Sequence, residues 1–147
     1  MTEAPGPLWA DLWKKSASLI NDFVSVGKPI PSAKAKICAL GSREPLNRGE
    51  EGELHVGGPQ VISGYLDAGN DVFYLDGKDR WIITGDMALI DDYGAAHIIG
   101  RYRDTIIRGG KNISLTRIER CLGNIYGVEA SFESITLGML QNHLTLL

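Results

Sequence analysis

Short runs in which apolar and polar residues alternate occupy the first half of the chain. Residues 34–40 begin by alternating lysine with alanine or isoleucine, and residues 52–58 alternate Glu and His with Leu and Val. Because successive side chains of a β-strand point to opposite faces, both runs are predicted to be strands with two unlike faces. In the second run one side holds Leu54 and Val56, and the other holds Glu53 and His55.

Turn residues separate the next apolar runs. Asp91-Asp92-Tyr93-Gly94 lies between residues 81–91 and residues 95–102. Asp and Gly accept the positive φ angles that tight hairpin turns require, so we predict a β-hairpin here. A second hairpin is predicted over residues 105–113, with Gly109-Gly110 between its strands.

Helical spacing marks the two ends of this region. Residues 7–21 place leucines and tryptophans on neighbouring turns, which predicts a short helix, with a loop as the alternative. Ser114 precedes apolar residues at spacings i, i+3 and i+4, which predicts a helix from Leu115 to about Ile125 capped by Ser114. The two prolines within residues 28–31 exclude a helix and disfavour a central strand. The predicted fold class is α+β, mainly antiparallel β.

Composition narrows the class of protein. The 147 residues suit one domain of ordinary size, and 44% hydrophobic with 22% charged residues excludes disordered, collagen-like and membrane-spanning classes. No apolar run approaches the roughly 18 residues of a membrane helix, and residues 1–5 lack a signal-peptide pattern, so we expect an intracellular, cytoplasmic protein. Glycine is in excess, with 13 of its 18 residues between Gly41 and Gly110, which favours tight turns between short strands.

Charge is unevenly distributed. The net charge of −3 argues against a general nucleic-acid binder. Residues 101–120 nevertheless carry six cations and two anions, which fits either a solvated face or a site for an anion such as a nucleotide phosphate. Cys38 and Cys121 stand far apart without metal-ligand spacing, so neither a zinc site nor a disulfide framework is predicted.

Three segments together form a more specific pattern. They read Gly52-Glu-Leu-His-Val-Gly-Gly-Pro-Gln-Val-Ile-Ser-Gly-Tyr65, then Thr84-Gly-Asp86, then Gly100-Arg-Tyr-Arg-Asp-Thr-Ile-Ile-Arg-Gly-Gly-Lys-Asn-Ile113 followed by Ile118-Glu119. In this order and spacing they resemble the adenylate-forming superfamily, which contains acyl-CoA and aryl-CoA synthetases and the adenylation domains of peptide synthetases. The resemblance covers about residues 25–122.

The resemblance implies a two-step reaction. A carboxylic acid attacks the α-phosphate of ATP to give an acyl-adenylate and pyrophosphate, and a thiol, usually coenzyme A, then displaces AMP. The implied cofactors are ATP or AMP, Mg²⁺ and coenzyme A. The implied partners are the acid and either coenzyme A or a carrier-protein thiol, with no nucleic acid and no membrane span.

Candidate nucleotide-binding residues follow from the matched motifs. Asp86 would accept the two ribose hydroxyls, and Arg101 would reach ribose or phosphate oxygens. Ile98 resembles the apolar residue that lines the adenine pocket. The structural alternatives are an Asp in a strand bulge, a surface ion pair and plain strand core, respectively.

The first residues resemble the family's T-E motif, since Met1-Thr2-Glu3 precedes residues 26–29 at a similar distance. Thr2 would donate its hydroxyl to the α-phosphate, and Glu3 would supply a hard oxygen ligand to Mg²⁺. A chance Met-Thr-Glu start is the alternative.

Residues after Arg101 resemble the family's interdomain hinge. Arg103 falls at the hinge position, where the family usually has Asp or Lys, and Asp104 matches the following acidic position. Gly109 and Gly110 match a hairpin tip that meets the pantetheine arm of coenzyme A, although a tight turn alone would also need them.

The resemblance also implies a domain organisation. Residues 1–24 would end the core of a large N-terminal domain, 25–102 would form a distorted β-barrel subdomain, and 103–147 would hold the hinge and a truncated start of the C-terminal domain. No phosphate loop and no C-terminal catalytic lysine are present. We therefore expect a central slice of a synthetase with little ligase activity of its own. The alternatives are a slice of a peptide-synthetase adenylation domain and a non-catalytic module for interaction or AMP binding. For a full-length form of the protein, a peroxisomal location is a further alternative.

Overall fold

The computed structural model describes residues 2–10, 19–20, 23–66, 69–108 and 111–123, and it divides the chain into two compact units, residues 1–99 and 100–147. The first unit holds the strands that run from β1 to β8, the last of which continues into the second unit. These are β1 (Trp9–Ala10), β2 (Leu19–Ile20), β3 (Phe23–Pro29), β4 (Lys34–Cys38), β5 (Gly52–Gly57), β6 (Phe73–Asp76), β7 (Asp79–Ile90) and β8 (Ala96–Arg101).

One curled sheet organises the first unit. Its strands follow the order β1-β3-β8-β7-β5-β4, with β2 also paired to β3 and β6 also paired to β7. The pairs with a defined register are antiparallel. The long strand β7 therefore lies in the interior of the sheet, where β5 pairs with its residues 81–88 and β6 with its residues 79–82. The prediction of a mainly antiparallel β fold is confirmed.

Two apolar clusters cover the two faces of this sheet. The first is built on Ile37, Leu54, Val56 and Ile82, and the N-terminal residues Ala4 and Leu8 are buried in it. The second contains Phe23, Met87, Leu89 and Ile99. Successive residues of β7 belong to different clusters, since Ala88 lies in the first and Met87 and Leu89 lie in the second. Both faces of the central strands are therefore covered.

Strand β5 differs from the expectation of one polar face. All six of its residues are buried, including Glu53 at 6% and His55 at 0% exposure. The polar side of the alternation is therefore interior, because Tyr74 of β6 and Trp81 of β7 supply aromatic rings beside it.

The predicted helix over residues 7–21 is wrong in its described parts. Trp9 and Ala10 pair with Pro29 and Lys28, and Leu19 and Ile20 pair with β3 as well. Residues 11–18 lie outside the described residues. Backbone pairing to β3 thus overrides the helical spacing, and Pro29 is tolerated because it is the last residue of its strand.

The hairpin between β7 and β8 is confirmed. The N–H of Asp91 donates to the carbonyl of Ala95, and Gly94 has a φ of +82°. Asp91 Oδ1 accepts the backbone N–H groups of Tyr93 and Ala95 at 3.0 and 2.7 Å. The turn is therefore closed by an aspartate side chain as well as by backbone.

The second unit contains the second predicted hairpin and the predicted helix. After a 3₁₀ turn (Tyr102–Asp104), β9 (Thr105–Arg108) pairs with β10 (Lys111–Ser114), and α1 (Leu115–Gly123) follows. The expected Ser114 cap is wrong: its hydroxyl is buried and makes no hydrogen bond. Ser114 does occupy the position directly before α1, but no N–H of the first turn donates to its hydroxyl.

Candidate functional site

The Thr84-Gly85-Asp86 segment forms a bulge in the middle of β7. His55 pairs with Ile83 and Glu53 pairs with Met87, so one residue of β5 faces three of β7. The Thr84 hydroxyl donates to the Leu54 carbonyl at 2.8 Å and accepts the N–H of Asp86 at 3.0 Å. A single hydroxyl therefore bridges both sides of the bulge.

Glycine is required at the centre of this bulge. Gly85 has a φ of +72°, a left-handed conformation that side chains with a Cβ adopt only at a cost. The Asp86 side chain that follows is partly buried. Because bulges redirect the next side chain, the motif supplies a fixed carboxylate on an otherwise regular strand. The strand bulge, which was the alternative explanation for Asp86, is therefore present in the structure. The ribose-binding role of Asp86 stays a prediction.

Glu3 lies in a hydrogen-bonded cluster, which we call the Glu3 cluster and define as Thr2, Glu3, Ile62 and Tyr65. The Tyr65 hydroxyl donates to Glu3 Oε1 at 2.7 Å, and the Thr2 hydroxyl donates to Glu3 Oε2 at 3.1 Å. The Ile62 N–H donates to the Glu3 carbonyl at 3.0 Å. Two predicted residues are thus joined to the end of the Gly52–Tyr65 motif.

Hydrogen bonding favours the charged form of Glu3. The Tyr65 hydroxyl is the main cause that lowers the pKa of the Glu3 carboxyl below its ordinary value, with a backbone hydrogen bond adding to it. The same bond raises the pKa of Tyr65. At neutral pH the cluster therefore presents a carboxylate held by a neutral phenol.

Tyr65 is the residue of this cluster that sequence reasoning missed. The sequence motif that ends in Gly64-Tyr65 gives no role to the tyrosine, which lies 62 positions from Glu3. Its N–H donates to Asn70 Oδ1 at 2.8 Å, and its ring packs edge-on against Phe73 with centroids 5.3 Å apart. The aromatic residue of the Gly-Tyr pair was the available signal.

The other nucleotide-binding candidates lie in two different units. Ile98 is partly buried against the first apolar cluster, as the strand-core alternative requires. Arg101 is exposed at the end of β8, where its carbonyl accepts the hydroxyl of Thr105 at 3.0 Å. Asp86 belongs to the unit of residues 1–99 and Arg101 to the unit of residues 100–147. Their roles toward AMP stay predictions.

The hinge candidates occupy the 3₁₀ turn between β8 and β9. Arg103 is exposed and Asp104 is partly buried. Gly109 and Gly110, the predicted pantetheine contacts, lie outside the described residues. The flanking residues Arg108 and Lys111 are paired.

A cluster of polar side chains around the buried His55, on the side of β5 opposite Leu54 and Val56, was not predicted. We call it the His55 cluster: Lys36, Arg43, Glu53, His55 and Tyr74. His55 Nδ1 lies 2.7 Å from the Tyr74 hydroxyl, whereas Nε2 makes no hydrogen bond and lies 3.9 Å from Glu53 Oε2. Burial, then the charges of Lys36 and Arg43, lower the pKa of His55 to about 4. Burial also raises the pKa of Glu53. The histidine is therefore neutral at physiological pH.

Lys36 and Arg43 close this cluster from outside. The Lys36 ammonium lies 4.7 Å from the centre of the Trp81 ring, and the Arg43 guanidinium lies 4.5 Å from the centre of the Tyr74 ring. Tyr74 and Trp81 are themselves stacked at 6.4 Å. These cation–π contacts hold two positive charges near His55, which opposes its protonation.

The described ranges contain neither a cluster of metal ligands nor a helix suited to a membrane. No group of three His, Cys, Asp or Glu side chains there is arranged to hold a metal ion. Likewise, none of the helices that the structure describes is long and apolar enough to cross a bilayer.

Comparison with known proteins gave consistent matches. A family profile described as AMP-binding enzyme matches residues 1–66, which include the whole Glu3 cluster. The mouse protein named medium-chain acyl-CoA ligase ACSF2, mitochondrial, is 40% identical over 95 residues, which are 65% of this chain and 15% of that protein.

Solved structures give the same result. ATP-bound MatB from Rhodopseudomonas palustris has a TM-score of 0.63 at 34% identity, over 71% of this chain and 21% of that chain. An adenylation domain of a keto acid-selecting NRPS module, bound to a keto acyl adenylate, has a TM-score of 0.53 at 35% identity, over 75% and 20%. This chain spans about a fifth of the length of the curated relatives that it matches.

Proposed function

Because the chain belongs to the adenylate-forming superfamily, we propose that it acts in ATP-dependent acid–thiol ligation, in which a carboxylic acid is activated as an acyl-adenylate and passed to coenzyme A. The observation that carries the proposal is the Glu3 cluster. It lies inside the family match and joins a hydroxyl and a carboxylate at a partly exposed position. The names of the relatives, an acyl-CoA ligase and an ATP-bound enzyme among them, support the same activity.

In the first step, a carboxylate oxygen of the acid attacks the α-phosphorus of ATP. The bond from phosphorus to the bridging oxygen breaks, and pyrophosphate leaves. We assign to Thr2 the donation of a hydrogen bond to an α-phosphate oxygen and to Asp86 the acceptance of the ribose hydroxyls. Such steps depend on positioning and on neutralising charge, which fits a site made of fixed hydroxyl and carboxylate groups.

Glu3 fits a Mg²⁺ ligand. Its carboxylate is ionised, partly exposed and built of the hard oxygen donors that Mg²⁺ prefers. Mg²⁺ commonly takes only one or two protein carboxylates when phosphate oxygens share its shell, so a single Glu suffices. When bound, the ion would neutralise charge on the phosphates, and Glu3 would be the residue that holds it.

The second unit would serve the thioester-forming step. There the thiol sulfur of coenzyme A attacks the acyl carbon, the bond from that carbon to the AMP oxygen breaks, and AMP leaves. We propose Arg101 of this unit and Ile98 of the first unit as AMP contacts. Arg103 and Asp104 would form the hinge, and Gly109 and Gly110 would contact the pantetheine arm. Arg103 keeps a long charged side chain at the turn, which can exchange partners during a rotation.

A domain organisation and a location go with this proposal. Residues 1–24 belong to the end of a large N-terminal domain core, 25–102 to the AMP-facing barrel subdomain, and 103–147 to the hinge and C-terminal domain. Since ATP and coenzyme A are supplied inside cells, we place the activity there, in the cytoplasm.

Calorimetry with AMP tests the nucleotide site. We expect the 147-residue chain to bind AMP and Asp86→Ala to bind it at least about tenfold more weakly, since hydrogen bonds to a charged group contribute about 1.5–3 kcal/mol. Asp92→Ala, at an exposed position of the β7–β8 turn, is the matched control and should bind as the unchanged chain does. Equal affinity of the Asp86 and Asp92 variants would overturn the ribose assignment.

The thiol acceptor needs a separate test, because one structural relative is an NRPS adenylation domain. Supplied with ATP, Mg²⁺ and a panel of acids, the 147-residue chain should release little pyrophosphate, since its sequence has no phosphate loop. If it does turn over, the thioester formed with coenzyme A or with a carrier protein identifies the acceptor. A stable complex with a synthetase in the absence of AMP binding would instead favour a non-catalytic interaction module.

A further inference from the structure

We propose that Tyr65 is a positioning residue for the Glu3 carboxylate, holding Oε1 so that Oε2 is presented to a divalent cation bound with a nucleotide. This inference rests on the proposed function, because it assumes the cation role of Glu3. It adds a residue that neither the motif analysis nor the comparisons assign, and it specifies which carboxylate oxygen binds the ion.

The two oxygens of Glu3 have different partners. Oε1 accepts the Tyr65 hydroxyl at 2.7 Å, and Oε2 accepts the Thr2 hydroxyl at 3.1 Å. A Thr hydroxyl carries one hydrogen, so Thr2 cannot donate to Glu3 and to the α-phosphate together. When Thr2 turns to the phosphate, Oε2 loses its donor and has both lone pairs free for the ion, whereas Oε1 still accepts the Tyr65 hydroxyl. Glu3 would therefore bind the ion through one oxygen.

Tyr65 is suited to this task because its own position is fixed by other groups. Its N–H is bonded to Asn70 Oδ1, and its ring lies edge-on against Phe73. Phe73 pairs with Ile82 of β7, two residues before the Thr84 bulge. The hydroxyl is thus anchored to the strand that carries Asp86 and not to the N-terminal segment that it orients.

The main chain of Glu3 is held independently of Tyr65. Ile62 donates its N–H to the Glu3 carbonyl at 3.0 Å, and the neighbouring Ala4 is fully buried. Removal of the Tyr65 hydroxyl should therefore leave the segment in place and release only the carboxylate. Groups that hydrogen-bond a metal-binding carboxylate typically change metal affinity by about 10- to 100-fold, which sets the effect to expect.

The test is binding of Mn²⁺ with ATP to the full 147-residue chain, followed by the change in the Mn²⁺ EPR signal relative to a protein-free Mn²⁺–ATP sample. We compare the unchanged chain with Glu3→Gln, Tyr65→Phe and Tyr74→Phe. The last variant removes a hydroxyl of the same kind from the His55 cluster and controls for general loss of stability. ATP affinity in EDTA, measured by calorimetry, reports nucleotide binding without the ion.

We expect Tyr65→Phe to weaken Mn²⁺ binding about tenfold, with Tyr74→Phe and the metal-free ATP affinity unchanged. If Glu3→Gln weakens Mn²⁺ binding but Tyr65→Phe does not, the positioning role is overturned and the proposed function stands. If Glu3→Gln has no effect, or the unchanged chain does not bind Mn²⁺ with ATP, both fail. A parallel loss of metal-free ATP affinity in Tyr65→Phe would mean a merely structural role and overturn the inference.

Discussion

The Tyr74 hydroxyl lies 2.7 Å from Nδ1 of His55, and both side chains are buried on strands that flank β7. Nε2 of the same imidazole has no hydrogen-bond partner, and Glu53 is the nearby carboxylate at 3.9 Å. A buried ring in this setting is stable only without charge, because protonation would add a cation beside Lys36 and Arg43. The pair therefore makes the stability of the fold depend on pH.

Acid should destabilise the chain through His55. Its pKa is about 4 in the folded state against an ordinary value of 6.5, so the unfolded state binds the proton first as pH falls. Titration of this group leaves the free energy of unfolding unchanged above about pH 6.5 and lowers it progressively as the pH falls to about 4. The shift corresponds to about 3 kcal/mol at most. Urea unfolding measured between pH 4 and pH 7.5 gives the profile.

The matched variant for this prediction is His55→Gln, which cannot titrate. Glu53 complicates the raw profile, because its pKa is raised by burial and acid relieves that cost. The difference between the unchanged chain and the variant cancels this contribution. We expect the advantage of the histidine at pH 7.5 to shrink by up to about 3 kcal/mol at pH 4. Parallel profiles would contradict the assignment.

Local periodicity predicted part of the fold and missed the rest for identifiable reasons. Strands β4, β5, β7 and β8 follow from alternation and turn residues, which act over a few positions. Strands β1 and β2 have two residues each and exist only through pairing with β3. The burial of His55 depends on Tyr74, which is 19 positions away. Such pairings are not encoded in any one window of the sequence.

The candidate site likewise has one part that the sequence predicts and one part that only the structure shows. Thr84-Gly-Asp86 was found as a motif, and its geometry is local, since one hydroxyl and one glycine build the bulge. The hydrogen bond from Tyr65 to Glu3 joins residues that are 62 positions apart, and only the fold brings them together. The sequence motifs therefore identify Glu3 and Asp86, whereas only the structure shows that Tyr65 holds the Glu3 side chain.

Asp91 should contribute more to stability than its exposed neighbour. Its Oδ1 accepts the N–H groups of Tyr93 and Ala95, and its Oδ2 lies 3.3 Å from Nε2 of buried His97. Asp91→Ala leaves these donors unpaired, so we expect a loss of about 2–4 kcal/mol in the free energy of unfolding. Asp92→Ala should change it by less than about 0.5 kcal/mol. Urea denaturation measures both, and equal midpoints would contradict the prediction.

Gly85→Ala should damage the bulge through backbone strain alone. No atom lies within 4 Å of the Cβ that alanine would add, but the φ of +72° is unfavourable for a residue with a side chain. We expect a loss of about 1–2 kcal/mol in stability and weaker AMP binding, because Asp86 would be displaced.

Gly69→Ala is the matched control for Gly85→Ala, since its added Cβ meets only an ordinary contact with Asp71 at 3.7 Å. It should leave both the thermal midpoint and the AMP affinity nearly unchanged. If the Gly85 variant is as stable as this control and binds AMP equally well, the left-handed turn is not needed to place Asp86.

Thr84 offers the sharpest separation of shape from hydrogen bonding. Valine keeps the branched shape but removes the hydroxyl that donates to the Leu54 carbonyl and accepts the Asp86 N–H. Two partly buried backbone groups then lose a partner, so Thr84→Val should cost about 1–3 kcal/mol. Thr84→Ser retains the hydroxyl and should cost less than half as much, while preserving AMP affinity. Because Asp86 depends on the same bridge, calorimetry should find AMP binding weakened in the valine variant only; equal affinities in the two variants would show that the bulge holds its shape without the hydroxyl.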